Sequence, residues 1–282
     1  MKIGYGTYGM KALDIFDVLP GLKDIGFEML EITAAPAWPT APAKLSSEQR
    51  VRLRNNLQES GLGPAVVLCL AEPCVVGERR QAMLDEFEAV CRLATDIHYG
   101  SGPAIVTSTL GGPQPPWDTD KNAIAAYLTE LAEIAGRHNC VYAIEPHVGG
   151  SFDRPEKANW LMRHTDHPHL RLNFDYSHFH IQGIDLEYSI DQCLPYSVHT
   201  HIKDGAMPEG RVQFTLPGDG NLDLTAYFKA LVTRGSTLPV CVEVSGMVWN
   251  APGYDPWLAA QRSFEALDRA RSAATNGDHS HA

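Results

Sequence analysis

Two patterns of apolar residues alternate along the chain. Short β-branched runs are typical of buried strands, and longer stretches with a helical period separate them. The predicted strands are residues 2–5, 29–32, 64–70, 104–107, 141–144, 171–174, 198–202 and 240–244. Predicted helices include residues 46–60, 78–95, 120–138, 155–164, 222–234 and 256–274. Eight strand and helix repeats predict an α/β fold, a single (β/α)₈ TIM barrel over residues 1–272, with a disordered tail at 273–282.

The composition of the chain indicates which classes of binding partner are unfavourable. The chain has 282 residues with 34 acidic and 23 basic side chains, a formal charge of −11. Such a field repels polyanions, so we expect no nucleic-acid partner. No apolar stretch reaches spanning length and the first residues lack a signal-peptide pattern, so we expect a cytoplasmic protein without membrane contact. The six cysteines lack metal-binding spacing and are predicted to be buried free thiols.

A candidate metal ligand follows each of the last four predicted strands. These residues are Glu145, Asp175, His201 and Glu243. The C-terminal ends of barrel strands carry the chemistry of this fold, and a carboxylate there is costly to bury unless a cation compensates it. Each residue alone could be a capping or ion-paired group. Together they predict one divalent metal site.

The ligand set also indicates which cation binds. Three carboxylates and one imidazole suit Mn²⁺ best, with Mg²⁺ or Co²⁺ as alternatives and Zn²⁺ as a lesser choice. Four protein ligands around an octahedral ion leave two positions for neighbouring oxygens of a hydroxy-ketone. We therefore expect a small sugar as substrate.

Several motifs resemble one known family. They are the Glu145-Pro146-His147 turn, the Asp175-Tyr176-Ser177-His178 element, the His201-x-Lys203-Asp204 element and the loop of residues 217–223. In this order they resemble the xylose isomerase-like barrel superfamily, the sugar phosphate isomerase/epimerase group. The resemblance covers nearly the whole chain and is unspecific for substrate. It also implies a homo-oligomer, a dimer or tetramer.

The resemblance implies roles for individual residues. Glu145 and Glu243 would be both metal ligands and the catalytic acid/base pair, whereas Asp175 and His201 would be ligands only. His178 and Arg211 match substrate-contact positions. His147 is a further candidate for substrate binding, with a structural role as the alternative. The His147 and glycine-pair segment stands where ketose epimerases usually have another acid, so their specificity does not transfer.

Other polar residues near these motifs receive weaker assignments. We expect His180 and His199 to pack or to support other groups, with His199 on the opposite side of its strand from His201. Lys203 is predicted either to line the mouth of the barrel or to pair with a barrel acid.

The expected reaction is proton abstraction next to a metal-chelated carbonyl, through an enediolate. Return of the proton to the substrate makes the protein an epimerase or isomerase of a small ketose or keto-sugar. Loss of a β-hydroxyl or aglycone makes it a lyase, such as a dehydratase of a keto-cyclitol. Two other classes stay open: a metal-dependent DNA endonuclease, which the charge disfavours, and a barrel that only binds sugar.

Overall fold

Eight parallel strands close into a barrel in the computed structural model, which describes residues 1–276. The barrel strands are β1 Ile3–Gly6, β2 Met29–Thr33, β3 Val66–Leu68, β4 Ala104–Ser108, β5 Cys140–Ile144, β6 Leu170–Asp175, β7 Ser197–Ile202 and β10 Val240–Val242. Around the ring, β10 pairs with β1 on one side and β7 on the other. The predicted (β/α)₈ barrel is confirmed.

The longer helices form the outer layer around the barrel. The helices of the chain are α1 Ile15–Ile25, α2 Ser47–Ser60, α3 Glu78–Ile97, α4 Trp117–Arg137, α5 Pro155–Thr165, α6 Ser177–His180, α7 Leu186–Cys193, α8 Leu224–Thr233, α9 Gly246–Trp249 and α10 Pro256–Asn276. A short antiparallel hairpin, β8 Asp204–Ala206 with β9 Gln213–Thr215, follows β7. The hairpin lies at the C-terminal end of the barrel, where it can cover the mouth.

The predicted helices did not include α1, α7 or the single-turn helices α6 and α9, and the two longer omissions have physical reasons. Pro20 and Gly21 interrupt the helical pattern of α1, and both residue types are unfavourable inside helices. Gly21 is required because a Cβ there would lie 2.4 Å from the Trp257 ring of α10. α7 has only eight residues, too few for a clear periodic pattern.

The end of the chain is only partly described. α10 continues to Asn276, so the first residues of the predicted tail 273–282 extend that helix. The rest of the predicted tail lies outside the described residues. Within residues 1–276, no helix combines the length and apolarity that crossing a membrane would require.

Apolar residues fill two layers, the barrel lumen and the space between strands and helices. Short strands suffice because their side chains are buried on both faces, as in β1, β2 and β5. All six cysteines are buried and free, as predicted. This core holds the C-terminal strand ends in fixed positions.

Candidate active site

The strands that carry the four predicted ligands are consecutive neighbours in the ring, in the order β10, β7, β6, β5. Asp175 pairs in register with His201, and His201 pairs with Cys241, two residues before Glu243. The backbone N–H of Glu145 donates to Ser108 just past the end of β5. The register therefore brings Glu145, Asp175, His201 and Glu243 to one side of the mouth.

Three of these residues form an acidic cluster with a histidine, defined as Glu145, Asp175, His178 and Glu243. One ligand atom from each lies within 4.8 Å of the others. The His178 Nε2 atom is 2.9 Å from Glu145 Oε1 and 3.6 Å from Asp175 Oδ2. His178, predicted as a substrate contact, thus lies among the predicted metal ligands.

His201 links the acidic cluster to deeper residues of the barrel. Its Nδ1 atom lies 2.9 Å from Glu145 Oε2 and 3.9 Å from Glu243 Oε2. Its Nε2 atom lies 2.7 Å from Glu31 Oε2 on β2. Burial alone would lower the pKa of His201, but Glu31 and Glu145 together raise it well above its usual value. The ring is therefore held between two carboxylates.

Lys203 supplies a buried positive charge next to the acidic cluster. Its ammonium contacts both Asp175 and Glu243, and its side chain is almost fully buried. Burial opposes the charged form, yet Asp175 and Glu243 raise the pKa of Lys203 above its usual value. Lys203 also lines the cavity at the mouth. Both roles predicted for it are thus present.

Burial shapes the protonation of the two histidines on this side of the mouth. It lowers the pKa of His178 to about 3, with the charge of Lys203 acting in the same direction. Burial also lowers the pKa of His147 to about 4, and the neighbouring His178 acts in the same direction. Both rings are therefore neutral near pH 7, the state in which an imidazole can accept a proton or bind a cation.

The charges of the site fit a divalent cation. Glu145, Asp175 and Glu243 bring three carboxylates into a buried region, and burying uncompensated charge is costly. Lys203 compensates one of them, so a dication would balance the remaining two. The set is rich in oxygen donors and lacks cysteine, as hard divalent cations prefer.

A cavity of about 160 Å³ opens beside this cluster. It is lined by Tyr8, Leu68, Leu70, Thr109, Glu145, His147, Lys203, Phe214, Glu243, Ser245 and Gly246. The His147 Nδ1–H donates to the Val148 carbonyl oxygen, 2.7 Å away, and the His147 ring lies 3.9 Å from that of His178. The cavity is small and polar on one side, which suits a small polyhydroxylated molecule.

Three aromatic residues, Tyr8, Trp38 and Trp249, form the rim of the mouth. The rings of Tyr8 and Trp38 stack at 5.2 Å, and Trp249 meets both edge-on. Lys11 lies 4.9 Å from the Trp38 ring centroid. These side chains give the rim a firm apolar wall.

The loop of residues 217–223 is held by Asp204. The Asp204 carboxylate accepts hydrogen bonds from the backbone N–H groups of Gly205, Gly218 and Leu222. A Cβ at Gly220 would lie 2.2 Å from Asp204 Oδ1, so only glycine fits. This element orders the hairpin and its Phe214, which lines the cavity.

The structure does not bring Arg211 to the cavity. Its side chain is 79% exposed, and its guanidinium pairs with Glu209 at 3.0 Å within the same turn. A turn of the hairpin connection points outward at this position. Substrate contact by Arg211 therefore has no support from the geometry.

Two contacts inside the barrel were missed by the sequence reading. His199 and His201 both reach Glu31, so the expected placement of His199 on the opposite side was wrong. Residues two apart on a strand share a face. Asn173 Nδ2 lies 2.6 Å from Glu145 Oε2. The signal that could have found Glu31 was a carboxylate inside an apolar strand.

The chain is a closed (β/α)₈ barrel with buried carboxylate and imidazole groups at its mouth. This arrangement is typical of barrel enzymes. A family model described as xylose isomerase-like TIM barrel matches residues 21–269. The chain therefore belongs to the xylose isomerase-like TIM barrel family.

Curated relatives in sequence include several inosose dehydratases. That of Salmonella typhimurium is 24% identical over 296 residues, covering 95% of each chain. That of Bacillus licheniformis is 26% identical over 184 residues, covering 56% of this chain and 61% of the relative's length. The match to the Bacillus velezensis protein spans 52% of that protein.

Solved structures show the same fold. L-ribulose 3-epimerase superposes with a TM-score of 0.74 at 19% identity, covering 100% of this chain and 99% of the other. The IOLI protein with a bound zinc atom superposes with a TM-score of 0.76 at 20% identity, covering 99% and 100%. Proteins similar to this chain in sequence are thus dehydratases, and an epimerase shares its fold.

Proposed function

We propose that the chain is a divalent-metal-dependent epimerase or isomerase of a small ketose or keto-sugar. One observation carries the proposal: two glutamates that line one small cavity, Glu145 and Glu243, share a buried cluster with Asp175 and His178. Two carboxylates facing one substrate suit removal of a proton by one group and its return by the other.

The cation would be held by Glu145, Asp175, His201 and Glu243, with Mn²⁺ as the first choice. When bound, it would polarise the substrate carbonyl and compensate the negative charge that develops on its oxygen. Support comes from the charge balance of the cluster and from the zinc atom bound by the IOLI protein.

The surroundings of the two glutamates differ in a way that suits a proton-transfer pair. Glu145 is fixed by His178 on one oxygen and by Asn173 and His201 on the other. Glu243 contacts Lys203 and keeps a side-chain exposure of 15% towards the cavity. β5 and β10 are separated in the ring by β6 and β7, so the carboxylates approach a substrate from different directions.

His147 and His178 would contact the substrate. Their rings lie 3.9 Å apart with their planes tilted by 45°, His178 bonds to Glu145, and both rings are neutral near pH 7. Neutral imidazoles can hydrogen-bond sugar hydroxyls as donor or acceptor. Tyr8, Leu68 and Phe214 would exclude water from the reacting carbon.

A second candidate function is a dehydratase of a keto-cyclitol type. Its support is the curated inosose dehydratase of Salmonella typhimurium, which is similar over 95% of both chains. The same proton removal beside a carbonyl begins an elimination if a β-hydroxyl then leaves. Both reactions therefore need the same cluster.

The two functions separate in deuterated buffer. The Mn²⁺-loaded protein is incubated with small ketoses and with a keto-cyclitol, and products are identified by NMR. Deuterium at the carbon beside the carbonyl together with a new stereoisomer or isomer supports the main proposal. An unsaturated product supports the dehydratase instead.

A matched variant controls for contaminating activity. Glu72→Gln changes a carboxylate that follows β3 and pairs with Arg79 at the surface, away from the acidic cluster. It should keep the exchange rate, whereas Glu243→Gln should lose it. Exchange that survives Glu243→Gln, or that needs no added metal after chelation, would refute the proposed mechanism.

A further inference from the structure

A second group of polar side chains lies deeper in the barrel than the acidic cluster. This interior cluster consists of Glu31, His199, His201 and Cys241, all fully buried, with ligand atoms within 4.8 Å of one another. Glu31 comes from β2, on the other side of the lumen from β7. The proposed reaction uses only His201 from this cluster.

The hydrogen bonds of the cluster converge on one carboxylate oxygen. Glu31 Oε2 lies 2.7 Å from His201 Nε2 and 3.1 Å from His199 Nε2. Acceptance of both bonds requires each Nε2 to carry a proton. The other nitrogen of His201, Nδ1, then faces Glu145 Oε2 at 2.9 Å. The carboxylate thus determines which nitrogen faces the cavity side.

We propose that Glu31 is a positioning residue that orients His201 as a metal ligand. This role rests on the proposed metal site. The Nε2 proton of His201 bonds to Glu31, and the His201 Nδ1 atom is left for the cation. A carboxylate that accepts from the remote nitrogen of a ligating histidine fixes its tautomer and ring orientation.

Packing fixes the carboxylate itself. His199 donates to the same oxygen and prevents Glu31 from turning away. A Cβ on Gly6 would lie 3.1 Å from Glu31 Oε1, so the absence of a side chain there leaves room for this oxygen. Glu31, His199 and His201 therefore form a supported hydrogen-bonded set.

The same residues could instead hold a second cation. The geometry favours the positioning role. Both histidine Nε2 atoms lie within hydrogen-bond distance of the same oxygen, Glu31 Oε2. The interior cluster also contains a single carboxylate, whereas the acidic cluster offers three to a dication.

The experiment compares wild type with Glu31→Gln, Glu31→Ala and the control Glu28→Gln. Glu28 precedes the same strand but pairs with Arg271 near the surface. Mn²⁺ affinity and stoichiometry are measured by calorimetry, and the ring nitrogens of His201 by ¹⁵N NMR of the metal-free proteins. If Glu31→Ala does not fold, Glu31→Gln still tests the inference.

We expect one Mn²⁺ per chain, an affinity about 10–100-fold weaker in Glu31→Ala, and partial recovery in Glu31→Gln because its amide oxygen can accept one hydrogen bond. The ¹⁵N signals of His201 should change in Glu31→Ala and stay constant in Glu28→Gln.

Two results would overturn the inference. One is equal Mn²⁺ affinity in wild type and Glu31→Ala. The other is a wild type that binds two Mn²⁺ ions per chain and a Glu31→Ala variant that loses only the second of them. A wild type that binds no Mn²⁺ contradicts the proposed function instead. The ¹⁵N spectra then still show whether Glu31 holds the ring.

Discussion

The two sides of the barrel mouth differ in the side chains they present. From β5, β6, β7 and β10 come Glu145, Asp175, Lys203 and Glu243, whereas the segments after β1, β3 and β4 contribute Tyr8, Leu68, Leu70 and Thr109 to the cavity. We call these the charged side and the apolar side.

The difference shows how a barrel can bury several charges at once. Adjacent strands let each carboxylate of the charged side meet a partner, such as His178 for Glu145 and Lys203 for Asp175. The apolar side places Leu68 and Leu70 against the cavity, and a lower dielectric strengthens the interactions among those charges. One side supplies the chemistry and the other its environment.

Glu31 is the exception to this division. It lies on β2, between the strands β1 and β3 of the apolar side, yet it reaches across the lumen to His201. A single carboxylate on the apolar side is tolerated because two histidines donate to it. Burial would raise the pKa of Glu31, but His201 and His199 lower it to about 2.

Removal of a glutamate from the charged side should have the largest effect. Glu145→Gln or Glu243→Gln should slow deuterium incorporation into the substrate by about 10²–10⁴-fold, because a proton-transfer group is lost while the shape is kept. Single-turnover NMR measures this. A loss below tenfold in both variants would place the acid/base chemistry elsewhere.

Loss of the buried lysine should have the next largest effect, on the free energy of unfolding. Lys203→Met leaves Asp175 and Glu243 without their common partner. Breaking a buried ion pair costs about 3–5 kcal/mol, so urea unfolding of the metal-free variant should show such a loss. Added Mn²⁺ should restore part of it, since binding to the folded state stabilises it. An unchanged unfolding midpoint would contradict the charge balance.

A change on the apolar side should separate stability from metal binding. Leu68→Ala removes a buried side chain that lines the cavity and should destabilise the fold by about 2–5 kcal/mol. Mn²⁺ affinity should stay within about twofold, because no ligand moves. Urea unfolding and calorimetry test the two parts. A large loss of affinity would show that the two sides are coupled.

The metal-free protein should lose stability as the pH falls from about 6.5 towards 4. In the unfolded chain His147 and His178 bind protons near their usual pKa of about 6.5, whereas in the fold their pKa values are about 4 and 3. His201 acts in the opposite sense: its raised pKa gives stability that is full below about 6.5 and is lost at higher pH.

Unfolding midpoints across this pH range measure the effect. His147→Asn should flatten the acid side of the profile, whereas a change at the exposed His164 should not. A wild-type profile that is flat between about pH 6.5 and 4 would mean that the two histidines take up protons in the folded state.

The smallest effect is expected at the hairpin. Arg211→Ala removes an exposed pair with Glu209, and such pairs contribute about 0–1 kcal/mol. Stability and deuterium exchange should both stay near wild type. A tenfold drop in exchange would instead show that the hairpin folds over bound substrate and brings Arg211 into the cavity.

Local patterns in the sequence determined most of the architecture. The strand that ends before Glu145 and the one that ends before Glu243 are visible as short apolar runs, because burial on both faces requires them. Since parallel strands in a closed barrel end at one face, the sequence also indicated that Glu145, Asp175, His201 and Glu243 would meet there.

Only the tertiary structure decided which partners those residues have. Glu31 and His201 are 170 positions apart, and their contact depends on the register of β2, β1, β10 and β7 around the barrel. The position of the Lys203 ammonium between two acids, and the outward turn that carries Arg211, depend on side-chain and loop geometry. Periodicity identifies which face of a strand is buried, but it carries no information about what lies across the lumen.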